Sequence, residues 1–329
     1  MLVLQPCAGS GKHHERAITG DGEKDGMEIR RVGVLGAGQM GLGIAQASAR
    51  AGCETVLVKA TPGSLDAQRS RTEKTLQKDV ERGRLTAADH GALLERLRWS
   101  THLHDLNETD LVIESIVEDL TTKRDTFQRL DEVVDQKAIF ATNTSTLCIA
   151  EIASAVQRQD RFVGLHFFNP VHAMKLVEVA PSLKTSDETV AAAVAYAKAL
   201  GKAPVVVADS SGFIVNRLLV PYLVDAIASL QRGLAGIAEI DAAMQNGANH
   251  PMGPLALADF IGLDIVFHMA SLLFEENRET RFAPPPLLRR LVLTGFLGRK
   301  SGGGFYDYTK TPPAPNDWLV ARRGAGTTR

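Results

Sequence analysis

The feature that most constrains the fold is a group of three glycines set between two apolar segments. Gly36, Gly38 and Gly41 follow the apolar segment 32–35 in GxGxxG spacing, and a helical pattern leads from them to a second apolar segment, 53–58. A strand, this glycine pattern, a helix and a second strand within about 30 residues predict a dinucleotide-binding unit. The glycines permit a tight turn, the approach of a pyrophosphate to the backbone, and close packing of helix on strand. We therefore expect the loop residues to bind a cofactor: Gly36, Ala37, Gly38, Gln39, Met40 and Gly41.

The residue after the second strand bears on which dinucleotide binds. Proteins that use NAD usually carry Asp or Glu there, because a carboxylate accepts a hydrogen bond from the ribose 2′-OH. This chain carries Lys59, a cation that can face a 2′-phosphate instead, with Arg69 as a second candidate. The expected cofactor is therefore NAD or NADP. Either Lys59 binds the phosphate of NADP, or it points into solvent while NAD binds.

Apolar segments and helical patterns alternate along the first two thirds of the chain. Further strands are expected at 110–116, 137–146, 161–166 and 174–181, and helices at 64–84, 86–98, 119–135 and 147–156. This alternation predicts an α/β fold with a Rossmann-type, doubly wound and mostly parallel sheet. From Asp209 onward the strand patterns stop, so an all-helical C-terminal domain is expected. Its helices are predicted at 212–232, 236–246, 255–279 and 285–295.

The same patterns divide the chain into domains. They predict a disordered tail at 1–28, a dinucleotide-binding domain at 29–210, a helical domain at 211–308 and a mobile tail at 309–329. Met27 directly precedes the folded segment and is a candidate start of translation. The intact mass of the natively expressed protein would test this hypothesis.

Composition argues against several classes of protein. There is no apolar run of about 18 residues or more, which argues against a transmembrane helix. A formal net charge of −1 argues against a dedicated nucleic-acid binder. The three cysteines are widely spaced and form no CxxC, so neither a zinc site nor a disulfide framework is indicated. We expect a cytoplasmic protein with no metal, nucleic-acid or membrane partner.

Candidate catalytic residues lie where the predicted strands end. Ser145, His166 and Asn169 follow strand patterns directly, and active residues of doubly wound sheets collect at the carboxyl ends of strands. Glu178 lies twelve residues after His166, on a second short strand. If the two strands run antiparallel, the carboxylate can fix the imidazole tautomer, as a general base requires. A purely structural histidine is the alternative.

Two helical segments carry surface patterns with more than one interpretation. Lys74, Lys78 and Arg82 recur every four residues and share one helix face. This basic stripe can meet the phosphates of a coenzyme A or carrier-protein arm, or it can be a solvated charged face. The segment 212–232 is apolar on more than one face, which predicts burial at a subunit interface or inside the domain. Its apolar residues are Phe213, Leu218, Leu219, Tyr222, Leu223 and Ile227.

Six motifs in order over roughly residues 30–308 resemble the 3-hydroxyacyl-CoA dehydrogenases. They are GAGQMGLGIAQ, ATNTST, GLHFFNPVHAMKLVEV, DSSGFIVNRLLVPYL, HPMGPLALADFIGLD and GRKSGGGFYDY. The resemblance implies interconversion of (S)-3-hydroxyacyl-CoA and 3-oxoacyl-CoA with a nicotinamide cofactor. It also implies a Rossmann domain, a helical second domain and a homodimer formed through the helical domain.

The resemblance also implies roles for individual residues. His166 resembles the catalytic base and Glu178 its partner, while Ser145 and Asn216 resemble the groups that contact the substrate. Positions similar to the family's cofactor contacts are Glu118, Lys123, Asn143, Asn169 and Lys300. Thr75 and Arg82 resemble its contacts to coenzyme A, which favours the phosphate-binding interpretation of the basic stripe. Lys59 departs from the family, whose usual residue there is Asp.

Three alternatives stay open at this point. The same chemistry can act on an acyl group bound to an acyl carrier protein. The chain can be a catalytically idle dinucleotide-binding relative, as in lens crystallins, although the intact set of Ser145, His166, Glu178 and Asn216 argues against this. The 3-hydroxyacid dehydrogenases share the glycine motif, but they use a catalytic lysine on a helix, whereas this chain has a His–Glu pair.

Overall fold

The computed structural model describes residues 27–316 and 319. Most of the two expected tails lies outside the described residues. An eight-stranded sheet forms the centre of the first domain, with the strand order β3-β2-β1-β4-β5-β6-β7-β8. Neighbouring strands are parallel except β6 and β7, which are antiparallel. The strands are β1 (Arg31–Leu35), β2 (Glu54–Val58), β3 (Leu97–Ser100), β4 (Leu111–Glu114), β5 (Ile139–Thr142), β6 (Phe162–Phe167), β7 (Leu176–Pro181) and β8 (Ala203–Val206).

Helices cover both faces of this sheet. They are α1 (Gln39–Arg50), α2 (Asp66–Glu81), α3 (Ala87–Arg96), α4 (Leu120–Val133), α5 (Ile149–Ala153) and α6 (Asp187–Ala199). Successive strand residues point to opposite faces. On β4, Leu111 and Ile113 accordingly join one apolar core with residues of α1, α3 and α6, while Val112 joins a second core with residues of α4 and α5. The predicted doubly wound, mostly parallel sheet is therefore confirmed.

The second domain is built from five helices. They are α7 (Val215–Arg232), α8 (Ile237–Ala248), α9 (Pro254–Ile261), α10 (Leu263–Asn277) and α11 (Pro286–Leu293). Their buried faces form two further apolar cores, one of which also includes Phe305. Short 3-10 turns lie at Leu103–Leu106, Gln159–Arg161, Thr280–Phe282 and Arg299–Ser301.

One strand and one helix break differ from the sequence prediction. A helix was expected over 86–98, but Leu97–Ser100 forms β3, which pairs with β2. The leucine pattern of α3 continues into these residues, so only pairing with β2 distinguishes strand from helix. A single helix was expected over 255–279, but Gly262, at φ 107°, separates α9 from α10. A residue with a side chain rarely adopts this backbone conformation.

The second domain also contains a little β structure. β9 (Tyr306–Asp307) pairs antiparallel with β10 (Ala314–Pro315), although no strand was expected after residue 209. The Asn316 side chain donates to the Gly304 carbonyl at 2.9 Å, so this residue is bonded to the end of the helical domain. α6 and β8 were not expected from the sequence.

The apolar helix α7 is buried on one side and exposed on the other. Leu223 and Ile227 are fully buried inside the domain, whereas Leu218 is 63% exposed. Within the described residues, no single helix is long and apolar enough to cross a membrane. α9 and α10 together are long and apolar enough for a membrane span, but the two helices bend by 95° at their junction.

Candidate active site

The glycine loop has the geometry of a dinucleotide site. A β-carbon at Gly36 would lie 2.2 Å from the Ser115 carbonyl oxygen, and one at Gly41 would lie 1.8 Å from the Gly36 oxygen. A β-carbon at Gly38 would meet no atom within 4 Å. Gly38 also precedes α1, whose N-terminus carries no side-chain cap. An open backbone at an uncapped helix start fits the pyrophosphate of a dinucleotide.

Lys59 lies directly after β2, next to this loop. The Gly36 N–H donates to the Val58 carbonyl at 2.8 Å, which fixes the loop against the end of β2. The Lys59 ammonium donates to the Ser64 carbonyl at 3.0 Å. A carbonyl is neutral, so this bond leaves the positive charge of Lys59 uncompensated.

The amide side chains of Asn169 and Asn143 connect the glycine loop to the end of β6. Gln39 Nε2, at the start of α1, donates to Asn169 Oδ1 at 2.9 Å. Asn143 Oδ1 accepts from the Phe167 N–H at 2.9 Å, and the Asn143 backbone N–H donates to the Glu114 carbonyl at 2.8 Å. The carboxyl ends of β4, β5 and β6 are thereby held together beside the glycine loop.

His166 and Glu178 form a buried pair across the antiparallel strands β6 and β7. They lie directly opposite each other in the strand register. His166 Nδ1 and Glu178 Oε2 are 2.7 Å apart, and both side chains are buried. The imidazole ring lies against the rings of Phe168 and Phe213, at centroid distances of 4.4 and 5.6 Å. The two strands run antiparallel, which is the condition that lets this imidazole and carboxylate meet.

Glu178 also connects the two domains. Its Oε1 accepts from the N–H groups of Ile214 and Val215 at the start of α7, each at 3.0 Å. Burial raises the pKa of the Glu178 carboxyl, but the bonds from His166 and from these N–H groups outweigh burial and leave the pKa below its usual value. Glu178 is therefore ionised at neutral pH and can orient the imidazole of His166.

The loop 143–146 after β5 surrounds the carboxylate of Glu118. Glu118 Oε1 accepts from the N–H groups of Ser145 and Thr146 at 2.8 and 3.1 Å. The hydroxyls of Thr144, Ser145 and Thr146 also lie 2.7–3.1 Å from this oxygen. Burial raises the pKa of Glu118, but Lys123 and these bonds lower it overall, so the carboxylate is ionised. Glu118 thus fixes the loop that carries Ser145.

Lys123 lies behind this carboxylate and not at the open surface. Its side chain is 1% exposed, and its ammonium lies 2.7 Å from Glu114 Oε1 and 3.4 Å from Glu118 Oε2. In this structure its ammonium is shared by two carboxylates. That Lys123 contacts a cofactor stays a prediction.

Asn216 approaches the same loop from the helical domain. It is buried in the first turn of α7, and its Nδ2 donates to the Ser145 carbonyl at 3.4 Å. Ser145 and Asn216 are therefore neighbours although they are separated by 71 residues. The structure thus places Ser145, His166, Glu178 and Asn216 around the junction of the two domains.

Three expected site residues lie apart from this junction. Lys300 pairs with Asp264 at 2.6 Å, within the helical domain. Thr75 lines an open depression of about 460 Å³ on the exposed side of α2, together with Lys74 and Lys78 among others. Arg82 follows the end of α2 and does not line this depression. Among the described residues, no group of three or more His, Cys, Asp or Glu side chains could hold a metal ion.

Glu114 was not singled out as a site residue from the sequence. It is fully buried at the end of β4, where it binds Lys123 and the hydroxyl of Thr142, the latter at 2.7 Å. A carboxylate in the apolar run LVIE was a usable signal, because a charged group is rarely buried without a partner.

Comparison with known proteins agrees with this geometry. Residues 31–210 match the family model described as 3-hydroxyacyl-CoA dehydrogenase, NAD binding domain, and residues 212–308 match that of its C-terminal domain. The chain is 45% identical over 282 residues to 3-hydroxybutyryl-CoA dehydrogenase of Mycobacterium tuberculosis, covering 85% of this chain and 99% of the relative. It is 45% identical to human mitochondrial hydroxyacyl-coenzyme A dehydrogenase, covering 85% of this chain and 91% of the relative.

A solved structure agrees as well. The crystal structure of (S)-3-hydroxybutyryl-CoA dehydrogenase from Ralstonia eutropha superimposes with a TM-score of 0.83 at 43% identity. The match covers 86% of this chain and all of that chain. Both domains and nearly the full length of these relatives are represented here. The chain therefore belongs to the 3-hydroxyacyl-CoA dehydrogenase family.

Proposed function

We propose that the protein interconverts (S)-3-hydroxyacyl-CoA and 3-oxoacyl-CoA carrying a short acyl chain. The observation that carries this proposal is the buried pair of His166 Nδ1 and Glu178 Oε2, 2.7 Å apart. β6, which carries His166, leads into Asn169, which binds the glycine loop. A fixed imidazole beside a dinucleotide site is the arrangement that oxidation of a hydroxyl group needs. The related enzymes named above act on the same class of thioester.

His166 is the proposed general base. A carboxylate can only accept hydrogen bonds, so Nδ1 carries the hydrogen that binds Glu178. In the neutral ring, Nε2 then holds a lone pair that can take the proton of the substrate hydroxyl. The buried negative charge of Glu178 stabilises the positive charge that develops on the ring. In the reverse direction, the same nitrogen returns the proton to the substrate oxygen.

Ser145 and Asn216 are the proposed substrate-positioning groups. They approach the cleft from different domains and bind each other through the 3.4 Å contact of Asn216 Nδ2. Correct orientation of the reacting atoms lowers the barrier because the entropy of alignment is already lost on binding. A nicotinamide cofactor held at the glycine loop would supply the acceptor for the hydride of substrate C3.

The basic depression on α2 is the proposed contact for the carrier arm. Lys74 and Lys78 line it together with Thr75, and all three are exposed. Ammonium groups at this spacing can bind the phosphates of coenzyme A. A comparison of acetoacetyl-CoA with acetoacetyl carrier protein tests the carrier. Much faster turnover of the carrier-protein substrate would replace coenzyme A in the proposal.

The helical domain is the proposed dimer interface. It exposes several large apolar side chains, which contact with a second copy of the chain would remove from water. They are Leu218 (63% exposed), Leu234 (77%), Phe260 (56%), Ile265 (44%) and Leu293 (74%). Light scattering of the protein eluted from a size-exclusion column should give twice the mass of one chain. Leu218→Glu should lower the measured mass toward that of one chain, and a wild-type mass of one chain would refute this interface.

The proposed reaction is tested by reduction of acetoacetyl-CoA with NADH and with NADPH. Wild-type protein should consume the reduced cofactor, and His166→Gln should lower turnover by about 10²–10⁴-fold while leaving cofactor affinity unchanged. Lack of turnover by the wild-type protein with either cofactor would reject the activity. Undiminished turnover by His166→Gln would reject the assignment of the base.

A further inference from the structure

Three charged side chains, two of them buried, run from β4 to the loop that carries Ser145. Glu114 is fully buried, and its Oε1 lies 2.7 Å from the ammonium of Lys123. The same ammonium lies 3.4 Å from Oε2 of Glu118, whose other oxygen binds the Ser145 loop. The remaining bonds of Glu114 come from the Thr142 hydroxyl and from a backbone N–H, both at 2.7 Å.

Stability alone does not account for this arrangement. Removing two carboxylates and an ammonium from water costs free energy, and apolar residues of similar size often stabilise a protein equally well. A functional role of these three charges is therefore expected at the end of the group that reaches the surface. That end is Glu118, whose side chain is 24% exposed, whereas Glu114 and Lys123 are 0% and 1% exposed.

Glu118 controls the direction of the Ser145 hydroxyl. Ser145 Oγ lies 3.1 Å from Glu118 Oε1, and an ionised carboxylate accepts hydrogen bonds only. The hydroxyl hydrogen of Ser145 therefore points to Glu118, and its oxygen lone pairs are left for a donor in the cleft. The hydroxyl of a bound 3-hydroxyacyl group is such a donor.

We propose that Glu114 is a positioning residue for the reaction. By binding Lys123, Glu114 fixes the distance between the ammonium and the Glu118 carboxylate. At that distance Glu118 accepts the hydrogen bond of the Ser145 hydroxyl, whose oxygen then serves as an acceptor for the substrate. This inference rests on the proposed function and adds a residue that does not itself touch substrate or cofactor. Without the charge of Glu114, Lys123 has one carboxylate partner instead of two. The ammonium then draws Glu118 away from Ser145.

The test is a double-mutant cycle that combines Glu114→Gln with Ser145→Ala. In the wild-type background, Glu114→Gln should lower kcat about tenfold, because a small displacement of a positioning group is costly. Cofactor affinity, measured by fluorescence titration, should change less than about twofold. In the Ser145→Ala background the same substitution should change kcat less than about twofold, because groups that act through one another are not additive. Glu114→Asp, which restores the charge, should recover part of the lost turnover.

The matched control lies on the same helix as Lys123. Asp131 forms a pair with Arg158 at 2.7 Å, with side chains 12% and 3% exposed, away from the Ser145 loop. Asp131→Asn also removes one charge from a largely buried ion pair, so it should lower the melting temperature. It should leave kcat close to the wild-type value in both backgrounds.

Each outcome decides the inference. Equal loss of kcat from Glu114→Gln with and without the Ser145 hydroxyl would overturn it, because the residue would then act independently of that hydroxyl. If Glu114→Gln does not fold, Thr142→Val removes one bond to Glu114 with little change in shape. Its smaller loss of kcat should likewise vanish in the Ser145→Ala background, and persistence there would overturn the inference. A wild-type enzyme inactive on acetoacetyl-CoA would refute the proposed function, whereas an active enzyme with additive effects would refute only the role of Glu114.

Discussion

Replacement of Glu178 by Gln tests the link between the domain junction and the catalytic base. The substitution keeps the size of the side chain but removes its charge. The carboxylate serves two sets of donors at once: His166 Nδ1 on Oε2, and two backbone N–H groups at the start of α7 on Oε1. An amide has a single acceptor oxygen, so it can satisfy one set only. Whichever set keeps the oxygen, the other faces an NH2 group.

The size of the effect follows from these bonds. A hydrogen bond to a charged group contributes about 1.5–3 kcal/mol, so the free energy of unfolding should fall by roughly that amount. Because the His166 tautomer and orientation are no longer fixed, kcat should fall by about 10²–10⁴-fold. Cofactor affinity should change little, since the recorded bonds of Glu178 go to His166 and to α7.

The pH dependence of stability gives an independent check. The folded-state pKa of Glu178 lies below the ordinary value of 4.5, so its stabilisation is present above that pH and is lost as pH falls through the folded-state pKa. The difference in unfolding free energy between wild type and Glu178→Gln should therefore be largest at neutral pH and shrink in acid.

The assay combines acetoacetyl-CoA reduction, a fluorescence titration of the cofactor and urea unfolding. The matched control is Asp110→Asn, since Asp110 also accepts from two successive N–H groups, those of Arg30 and Arg31, but at the amino end of the sheet. This control should lose stability without losing turnover. Turnover of Glu178→Gln within about threefold of the wild-type value would refute the proposed orientation of His166.

Three further predictions concern the cofactor site and the helical domain. Gly38→Ala should weaken cofactor binding with little loss of stability, because its β-carbon would meet no protein atom within 4 Å. Gly41→Ala should instead lower the free energy of unfolding by about 1–3 kcal/mol. Fluorescence titration and thermal unfolding separate the two effects, and an equal loss of stability in both variants would contradict the geometry. Lys59→Asp should shift the ratio of NADPH to NADH affinity toward NADH by about tenfold or more; an unchanged ratio in a binding titration would show that Lys59 does not face the ribose. Burial raises the pKa of Asp259 to about 6, so its stabilisation is present below pH 3.8 and is lost as pH rises through about 6. The difference in unfolding free energy between wild type and Asp259→Asn should accordingly fall by roughly 3 kcal/mol from acid to neutral pH, and a difference independent of pH would contradict the raised pKa.

Features encoded by spacing within one segment were predictable from the sequence. The glycine loop needs three glycines at fixed positions, and the structure assigns each a different steric requirement. The pairing of His166 with Glu178 was open to prediction on the condition that the two strands run antiparallel, because both strands are short and only residues 168–175 separate them. The ordered motifs fixed the family and both parts of the fold.

Features that depend on neighbours distant in the sequence were not predictable. The residues of β3 continue the apolar pattern of α3, and only β2 makes them a strand. The break at Gly262 likewise falls inside an apolar helical pattern. The burial of Lys123 against Glu114 is a further example, since the two residues lie nine positions apart on different elements.

The sequence by itself therefore predicted which residues carry the proposed chemistry, whereas the tertiary structure decided how their charges are shared. Glu178 orients His166 and also binds the start of α7, 36 residues further along the chain. Ser145 is held by Glu118 and Lys123 from one side and by Asn216 from the other. The physical reason is that local spacing fixes backbone conformation and side-chain direction. The partner of a buried charge depends on which segments pack together, and no local pattern records that.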